Sequence, residues 1–376
     1  MSPAPRKIRL LLSAPVPAPS GSRSVWDTDA GQQAWWAACL FARSPEVEVA
    51  GFVFSEGDGF CLVPPDGRFP VFSIPGDVPP ADVLVSFGHA LPVAWIDRFR
   101  EGGGRVAQVA LGENLPEAAE RMIFDKGGDF FAALARADVV WTFPGDAEAR
   151  SLSRLAGAPV LEVSRLWTPF FLETRKDASK TPFGYVSGKK RWRLCVSQEN
   201  AGLLKNFLTP FLILENAHRA APRLIGEVHI SRMRKIRSTP GFAGLMKLSA
   251  LHAQGYVSLW NDEPSGDFLA TRGDCLIAHG VDSTPPKACL EALHGNYPLV
   301  HNFAVMSDLG FFYEGFDACS GAKALVRAFE THDQNLAASA AANRRFLDLF
   351  SPDLDSNREP WLRALRFLQE MPSKTG

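Results

Sequence analysis

The chain has few of the signatures that settle chemistry quickly. Its six cysteines, Cys39, Cys61, Cys195, Cys275, Cys289 and Cys319, are far apart in 376 residues, and no two are spaced Cys-x-x-Cys. That argues against a thiolate zinc site. Most of them sit in apolar runs and read as reduced core residues. No stretch approaches the roughly 18–20 apolar residues needed to span a bilayer. Forty Lys and Arg against forty-one Asp and Glu leave a net charge of −1. This balance offers no general attraction to nucleic acid or to an anionic membrane. The eight histidines do not cluster. No metal site is assigned, and neither a solenoid-period repeat nor a low-complexity tract is present.

What is present is a large supply of core-forming residues. Hydrophobic types make up 46% of the chain, and its length favours two domains over one. Residues 1–9 are basic and 10–19 mildly apolar. Pro3, Pro5, Pro15, Pro17 and Pro19 argue against a signal helix, and 8–12 fits a buried strand better. A cytoplasmic protein is expected, with peripheral contact to the inner membrane as an option. The most basic patch, Arg232-Met-Arg-Lys-Ile-Arg237, contains no aromatics. It reads as a solvated face rather than a nucleic-acid surface.

Strand and helix patterns alternate along the first half. Strands are expected at 8–13, 47–54, 83–87, 105–111, 138–142 and 160–163. Helices are expected at 30–43, 93–101 and 147–155, with another ending at 132–137. Residues 166–190 break the rhythm with Pro169, Pro182, Gly184 and Gly188. A second alternation follows, with strands at 193–196, 224–230, 257–260, 275–278 and 297–300. Its helices include 203–218, 241–249, 321–330 and 337–350. Asp355 or Ser356 could cap a last helix over 359–370. Such alternation builds parallel sheets covered on both faces.

The expected organisation is a Rossmann-like domain over 1–165, a linker over 166–190, a second Rossmann-like domain over 191–350 and a crossover helix and tail over 351–376. Two doubly wound α/β domains facing a cleft, with a last helix packing back across the boundary, are the build of the GT-B type. Ligands of open α/β sheets bind at the carboxyl ends of the strands.

Residues 279–302 are the most informative segment. Ser283 or Thr284 can cap a helix, Pro285 or Pro286 suits its first turn, and Gly295-Asn296 supplies a stop. A helix N-terminus at a cleft can hold phosphate. Glu291, inside that helix, can accept from ribose or sugar hydroxyls, or pair with Lys287 one turn back. Lys205, early in the helix expected at 203–218, can meet a diphosphate or remain a solvated lysine. Asn200 lies in the preceding turn. His279 ends a strand and could touch the same ligand, as could Asp282 beside Ser283.

In the first domain, Gly31 and Gln32 open a helix and would allow a ligand close to the backbone. Trp26, in the loop before it, suits stacking on a sugar if exposed. Asp27 (or Asp29) and His89 are the candidate bases for a general-base step. Trp35 and Trp36 lie within an apolar helix and read as core.

Ordered matches along nearly the whole chain carry a resemblance. They include Val25-Trp26-Asp27 with Gly31-Gln32, then Leu40-Phe-Ala-Arg-Ser-Pro-Glu-Val47 and Arg98-Phe-Arg-Glu-Gly-Gly-Gly-Arg-Val106. Val139-Val-Trp-Thr-Phe-Pro144 and Leu166-Trp-Thr-Pro-Phe-Phe171 follow. The second half contributes Asn200, Lys205, Pro210, Glu215, Glu291-Ala-Leu-His-Gly-Asn-Tyr-Pro-Leu-Val-His-Asn302 and Asp308-Leu-Gly-Phe-Phe-Tyr313 with Phe316-Asp317. The chain resembles a bacterial family of uncharacterised proteins with GT-B glycosyltransferase-like architecture.

The resemblance implies a metal-independent glycosyltransferase without a cofactor. It would take a nucleoside-diphosphate sugar as donor and a glycan, lipid-linked or protein acceptor, in polysaccharide or protein-glycan assembly. Related enzymes often carry two glutamates eight residues apart. Here the second corresponds to Glu291 and the first falls on Ser283. The alternatives are a catalytically silent nucleotide-sugar-binding protein of the same fold and a GT-B nucleotide-sugar epimerase.

Overall fold

The protein is seen as a computed structural model that describes residues 6–16, 24–55, 66–88, 91–112, 114–125, 130–176, 181–198, 200, 202–203, 205–281 and 285–372. It divides into two compact units. The first comprises Met1–Thr168 and Leu349–Gly376, and the second comprises Pro169–Asp348.

The first unit runs β1 (Ile8–Ser13), α1 (Asp29–Phe41), β2 (Val47–Ser55), β3 (Val71–Ile74), β4 (Val83–Phe87) and α2 (Val93–Glu101). It continues with β5 (Arg105–Val109), α3 (Asn114–Ile123), α4 (Phe130–Leu134), β6 (Val139–Thr142), α5 (Ala147–Leu155) and β7 (Val160–Glu162). All seven strands are parallel, in the order β3-β2-β1-β4-β5-β6-β7. Every residue of β4 is buried, including Ser86. Both faces of the sheet centre are therefore covered, which explains why this strand reads as a continuous apolar run rather than an alternation.

The second unit runs α6 (Phe170–Lys176), β8 (Trp192–Val196), α7 (Leu208–Ala220), β9 (Ile225–Ile230), α8 (Pro240–Leu248), α9 (Ala250–Ala253), β10 (Val257–Leu259) and α10 (Ser265–Arg272). It continues with β11 (Cys275–Ile277), α11 (Lys287–His294), β12 (Leu299–His301), β13 (Phe311–Phe312), α12 (Ala318–Thr331) and α13 (Leu336–Asp348). Its six strands are also parallel, in the order β10-β9-β8-β11-β12-β13. Strand order reverses between β1 and β4 in the first sheet and between β8 and β11 in the second. These are the topological switch points of two doubly wound sheets.

The chain then returns to the first unit with α14 (Asp355–Glu370). Trp361 on this helix is fully buried against Phe41, Phe87 and Trp141. The helix starts four residues before the expected 359. Asn357 explains the early start, because its Nδ2 donates to the carbonyls of Leu349 and Ser351 (2.7 and 2.9 Å) and ties the first turn down.

Several short elements differ from expectation. β3 and β13 have four and two residues, are half-buried, and lie at sheet edges, so they carry little periodic signal. α6 lies where a linker over 166–190 is expected. Pro169 starts that helix instead of breaking it, its carbonyl accepting from Leu172 and Glu173 amides at 2.9 Å. Among the described residues, no helix is long and apolar enough to cross a membrane.

Candidate functional site

The carboxyl edge of the second sheet holds a group of buried polar atoms without partners. Ser197 follows the end of β8, Ser231 follows β9, and His279 lies two residues beyond β11. Ser197 Oγ, Ser231 Oγ and His279 Nε2 are buried and have no hydrogen-bond partner among the described residues. β9, β8 and β11 are adjacent, with Val196 paired to both Ile230 and Ile277. Neighbouring strands lie about 4.8 Å apart. Three unsatisfied groups therefore mark three consecutive strand ends at the switch point. Buried polar groups without partners cost about 1–3 kcal/mol each, so their clustering points to a ligand that satisfies them.

The loops around these atoms are latched by side-chain amides. Gln198 Nε2 donates to the His279 carbonyl (2.7 Å) and joins the loops after β8 and β11. Asn302 donates through Nδ2 to the Gly280 carbonyl (2.7 Å) and accepts from the Gly280 amide (2.9 Å). Asn200, held at φ +51°, donates to the carbonyls of Ser231 and Arg232 and accepts from the Phe207 amide at 2.8 Å. Gly280 has no room for a side chain, because a Cβ would lie 2.6 Å from the Phe303 ring. The hydrogen bonds tie Gln198, Asn200, Gly280 and Asn302 to neighbouring strand ends.

Burial alone pushes the His279 imidazole down to about 4. His301 is also pushed down to about 4 by burial, although its bond to the Leu309 carbonyl works against the shift. The neutral rings are thus favoured in the fold. At pH above 6.5 both folded and unfolded chains carry them neutral. Below that, the unfolded chain takes up protons first, so stability falls as pH drops from about 6.5 towards 4. A series of melting temperatures from pH 7.5 to 4.5 should show this loss. A flat profile would contradict it.

The other expected site residues fall as follows. Lys205 precedes α7 rather than lying early in it, and Asn200 lies before the helix, where the sequence places it. The helix expected from 203 begins at Leu208, because Asn200 and Asn206 oxygens take the Phe207 and Leu208 amides (2.8 and 2.9 Å) that would otherwise extend it. Glu291 lies inside α11, nearly fully buried. Its carboxylate receives Lys287 Nζ at 2.9 Å and the Ser265 hydroxyl, and Lys287 also donates to Ser265 Oγ at 2.9 Å. The i,i+4 contact open in the sequence is therefore made. Pro286 flanks the N-terminus of α11 with no side-chain cap. Asp282, Ser283 and Thr284, like His89, lie outside the described residues. Asn296, at φ +52°, supplies the left-handed stop.

In the first unit the structure corrects three expectations. Trp26 is not exposed: 4% of it is accessible, and it packs edge-on against Trp35, Phe52 and Phe54. Its stacking partners are core rings, so it presents no face to a sugar. Asp27 is also buried (5% accessible) and caps the short turn Val25–Asp27, accepting from the Ser24 amide at 2.9 Å. That is a structural duty, not the placement of an accessible base. Gly31 does permit a close approach, but of the chain to itself. A Cβ there would lie 2.1 Å from the Val25 carbonyl oxygen. Gln32 is buried and donates to the Trp26 carbonyl at 2.9 Å. Trp35 and Trp36 are core, as read.

Ser197, Ser231 and Tyr313 are site residues that the sequence reading does not single out. A signal existed for the serines, since each directly follows a buried strand. Tyr313 depends on β13, whose two residues carry no usable pattern.

The fold is that of the GT-B glycosyltransferases. Sucrose-phosphate synthase from Thermosynechococcus elongatus superimposes with a TM-score of 0.61 over 97% of this chain and 99% of that one, at 10% identity. A glycosyltransferase from Rickettsia africae matches with a TM-score of 0.55 at 12% identity, covering 97% and 98% of the two chains. S. aureus TarM, in complex with fondaparinux, α-GlcNAc-glycerol and UDP, matches at 0.50 and 11% identity over 77% of this chain. This chain spans 55% of the length of that protein. Among curated proteins none matches significantly. Residues 15–365 match the family described as Protein of unknown function (DUF2827), and the chain belongs to that family.

Proposed function

We propose that the protein is a glycosyltransferase that moves a sugar from a nucleoside-diphosphate sugar to a glycan, lipid-linked or protein acceptor. The observation that carries this reading is the set of unpartnered Ser197, Ser231 and His279 atoms at the switch point of the second sheet. A ligand rich in oxygen atoms would satisfy them, and a nucleoside diphosphate is such a ligand. The similarity to TarM, a protein seen with UDP, supports the choice. In this reading the second unit binds the donor. Lys205 and backbone amides offset the charge of the leaving diphosphate, the task a metal ion performs in other transferases. The first unit binds the acceptor, and His89 is the candidate base. The setting in this reading is cytoplasmic polysaccharide or protein-glycan assembly, with peripheral contact to the inner membrane as an option.

A second reading has its own observation. Glu291, which the resemblance matches to the second of the paired glutamates in related enzymes, is already taken by Lys287 and Ser265. A silent nucleotide-sugar-binding protein would tolerate that arrangement. Incubation with a panel of nucleotide-sugars, followed by thermal shift and by release of free nucleotide, separates the two. Stabilisation with slow release of nucleotide supports a transferase. Stabilisation without turnover, even with acceptors present, supports the silent protein. Interconversion of the sugar without free nucleotide would instead indicate an epimerase. Lys205→Ala is expected to weaken nucleoside-diphosphate binding about tenfold or more, as loss of a charge-assisted contact should. Unchanged affinity by calorimetry would remove Lys205 from the site.

A further inference from the structure

His279 differs from the two serines in having its other ring nitrogen engaged. Its Nδ1 lies 2.8 Å from the Tyr313 hydroxyl, and the two rings stack at 12° between planes. Tyr313 is buried (2% accessible), and its amide donates to the His301 carbonyl at 2.9 Å, so the residue is anchored by its backbone. Two proton arrangements fit the 2.8 Å contact. If Nδ1–H donates to the tyrosine oxygen, the phenol hydrogen is left buried without an acceptor, and Nε2 is a bare lone pair. If the phenol donates to Nδ1, its hydrogen is used, and Nε2 carries the ring hydrogen. The second arrangement leaves one buried group unsatisfied instead of two, and each such group is costly.

We propose that Tyr313 is a positioning residue that holds His279 as the Nε2–H tautomer, so that His279 donates a hydrogen bond to a phosphate-type oxygen of the ligand in the second unit. The proposal rests on the donor-site reading given above. Burial keeps the ring uncharged at neutral pH, so it carries one N–H and not two. The hydroxyls of Ser197 and Ser231 can rotate to donate or accept. The ring N–H cannot, and it sets the direction from which an oxygen must approach. The phosphate-type oxygen could come from a nucleoside diphosphate or from inorganic phosphate, and the test distinguishes them.

The test uses the full chain with 15N-labelled histidine rings, read by long-range proton–nitrogen correlation spectra. The His279 signals are assigned by their absence in His279→Gln. In the free protein they should show a protonated Nε2 and an unprotonated Nδ1. Tyr313→Phe, which keeps the ring and its packing, should shift His279 to a mixture or to the other tautomer. A dominant Nδ1–H form in the wild type, or no change in Tyr313→Phe, overturns the positioning role. UDP should shift the Nε2 proton, and inorganic phosphate should do so weakly. His279→Leu should weaken UDP binding about tenfold or more, the loss expected for one hydrogen bond to a charged oxygen, with His279→Gln between the two. If UDP stabilises the protein but leaves His279 unmoved, this proposal falls and the donor-site reading stands. If neither UDP, nucleotide-sugars nor phosphate perturbs His279 or the melting temperature, both fall.

Discussion

Lys287→Ala is expected to destabilise the second unit by about 3–5 kcal/mol, the usual cost of removing one partner from a buried ion pair. Lys287 and Glu291 are 6% and 3% accessible, and Ser265, which bonds to both, is 4% accessible. Without the ammonium, a carboxylate remains buried with a single hydroxyl donor. Urea unfolding of the second unit should report the loss. The double variant Lys287→Met with Glu291→Leu should recover most of it, because apolar side chains of similar volume need no compensating charge. A loss below about 1 kcal/mol for Lys287→Ala would mean that the carboxylate finds water or another donor. Glu291 would then be accessible enough to meet a ligand, and its reading would change.

Trp361→Ala should cost the first unit about 3–5 kcal/mol, as large-to-small changes at fully buried aromatics do. Trp361 meets Phe41 and Trp141 edge-on at 5.9 and 5.7 Å and stacks with Phe87 at 6.0 Å. Its indole N–H donates to the Ser164 carbonyl at 2.9 Å. The variant should lower the unfolding midpoint of the first unit and expose the last 20 or so residues to limited proteolysis, since α14 relies on this anchor. Trp361→Phe should lose less, chiefly the bond to Ser164. Unfolding unchanged in Trp361→Ala would show that α14 adds nothing to the first unit.

Much of the fold was legible because its signals are local. β1 and β4 appear at 8–13 and 83–87 as read, since central parallel strands form short apolar runs bounded by turns. The alternation of strand and helix leads directly to parallel sheets. Edge strands β3 and β13 escaped because half-burial and short length blur the period. Pro169 misled for a related reason, since proline both ends helices and begins them. Only the following residues, whose amides bond back to it, decide which.

The candidate site is read from the sequence by position, and its contacts come from the structure. His279 lies just beyond a strand, as the sequence suggests, while the sequence reading singles out none of Ser197, Ser231 and Tyr313. Trp26 and Asp27 show the opposite error. Polar and aromatic residues in a loop before a helix look accessible in sequence, yet Trp26 is enclosed by Phe52 and Phe54, more than twenty residues further along. Glu291 had two readings, and the contact with Lys287 and Ser265 chose the pairing.

By itself, then, the sequence determined the α/β class and most of its strands and helices. These follow from periodicity, capping and turn chemistry, which act over a few residues. Tertiary structure alone decided strand order, which side chains are buried, and which polar atoms lack partners. Those depend on contacts between distant residues, such as Gln198 with His279 and His279 with Tyr313, and no local pattern encodes them.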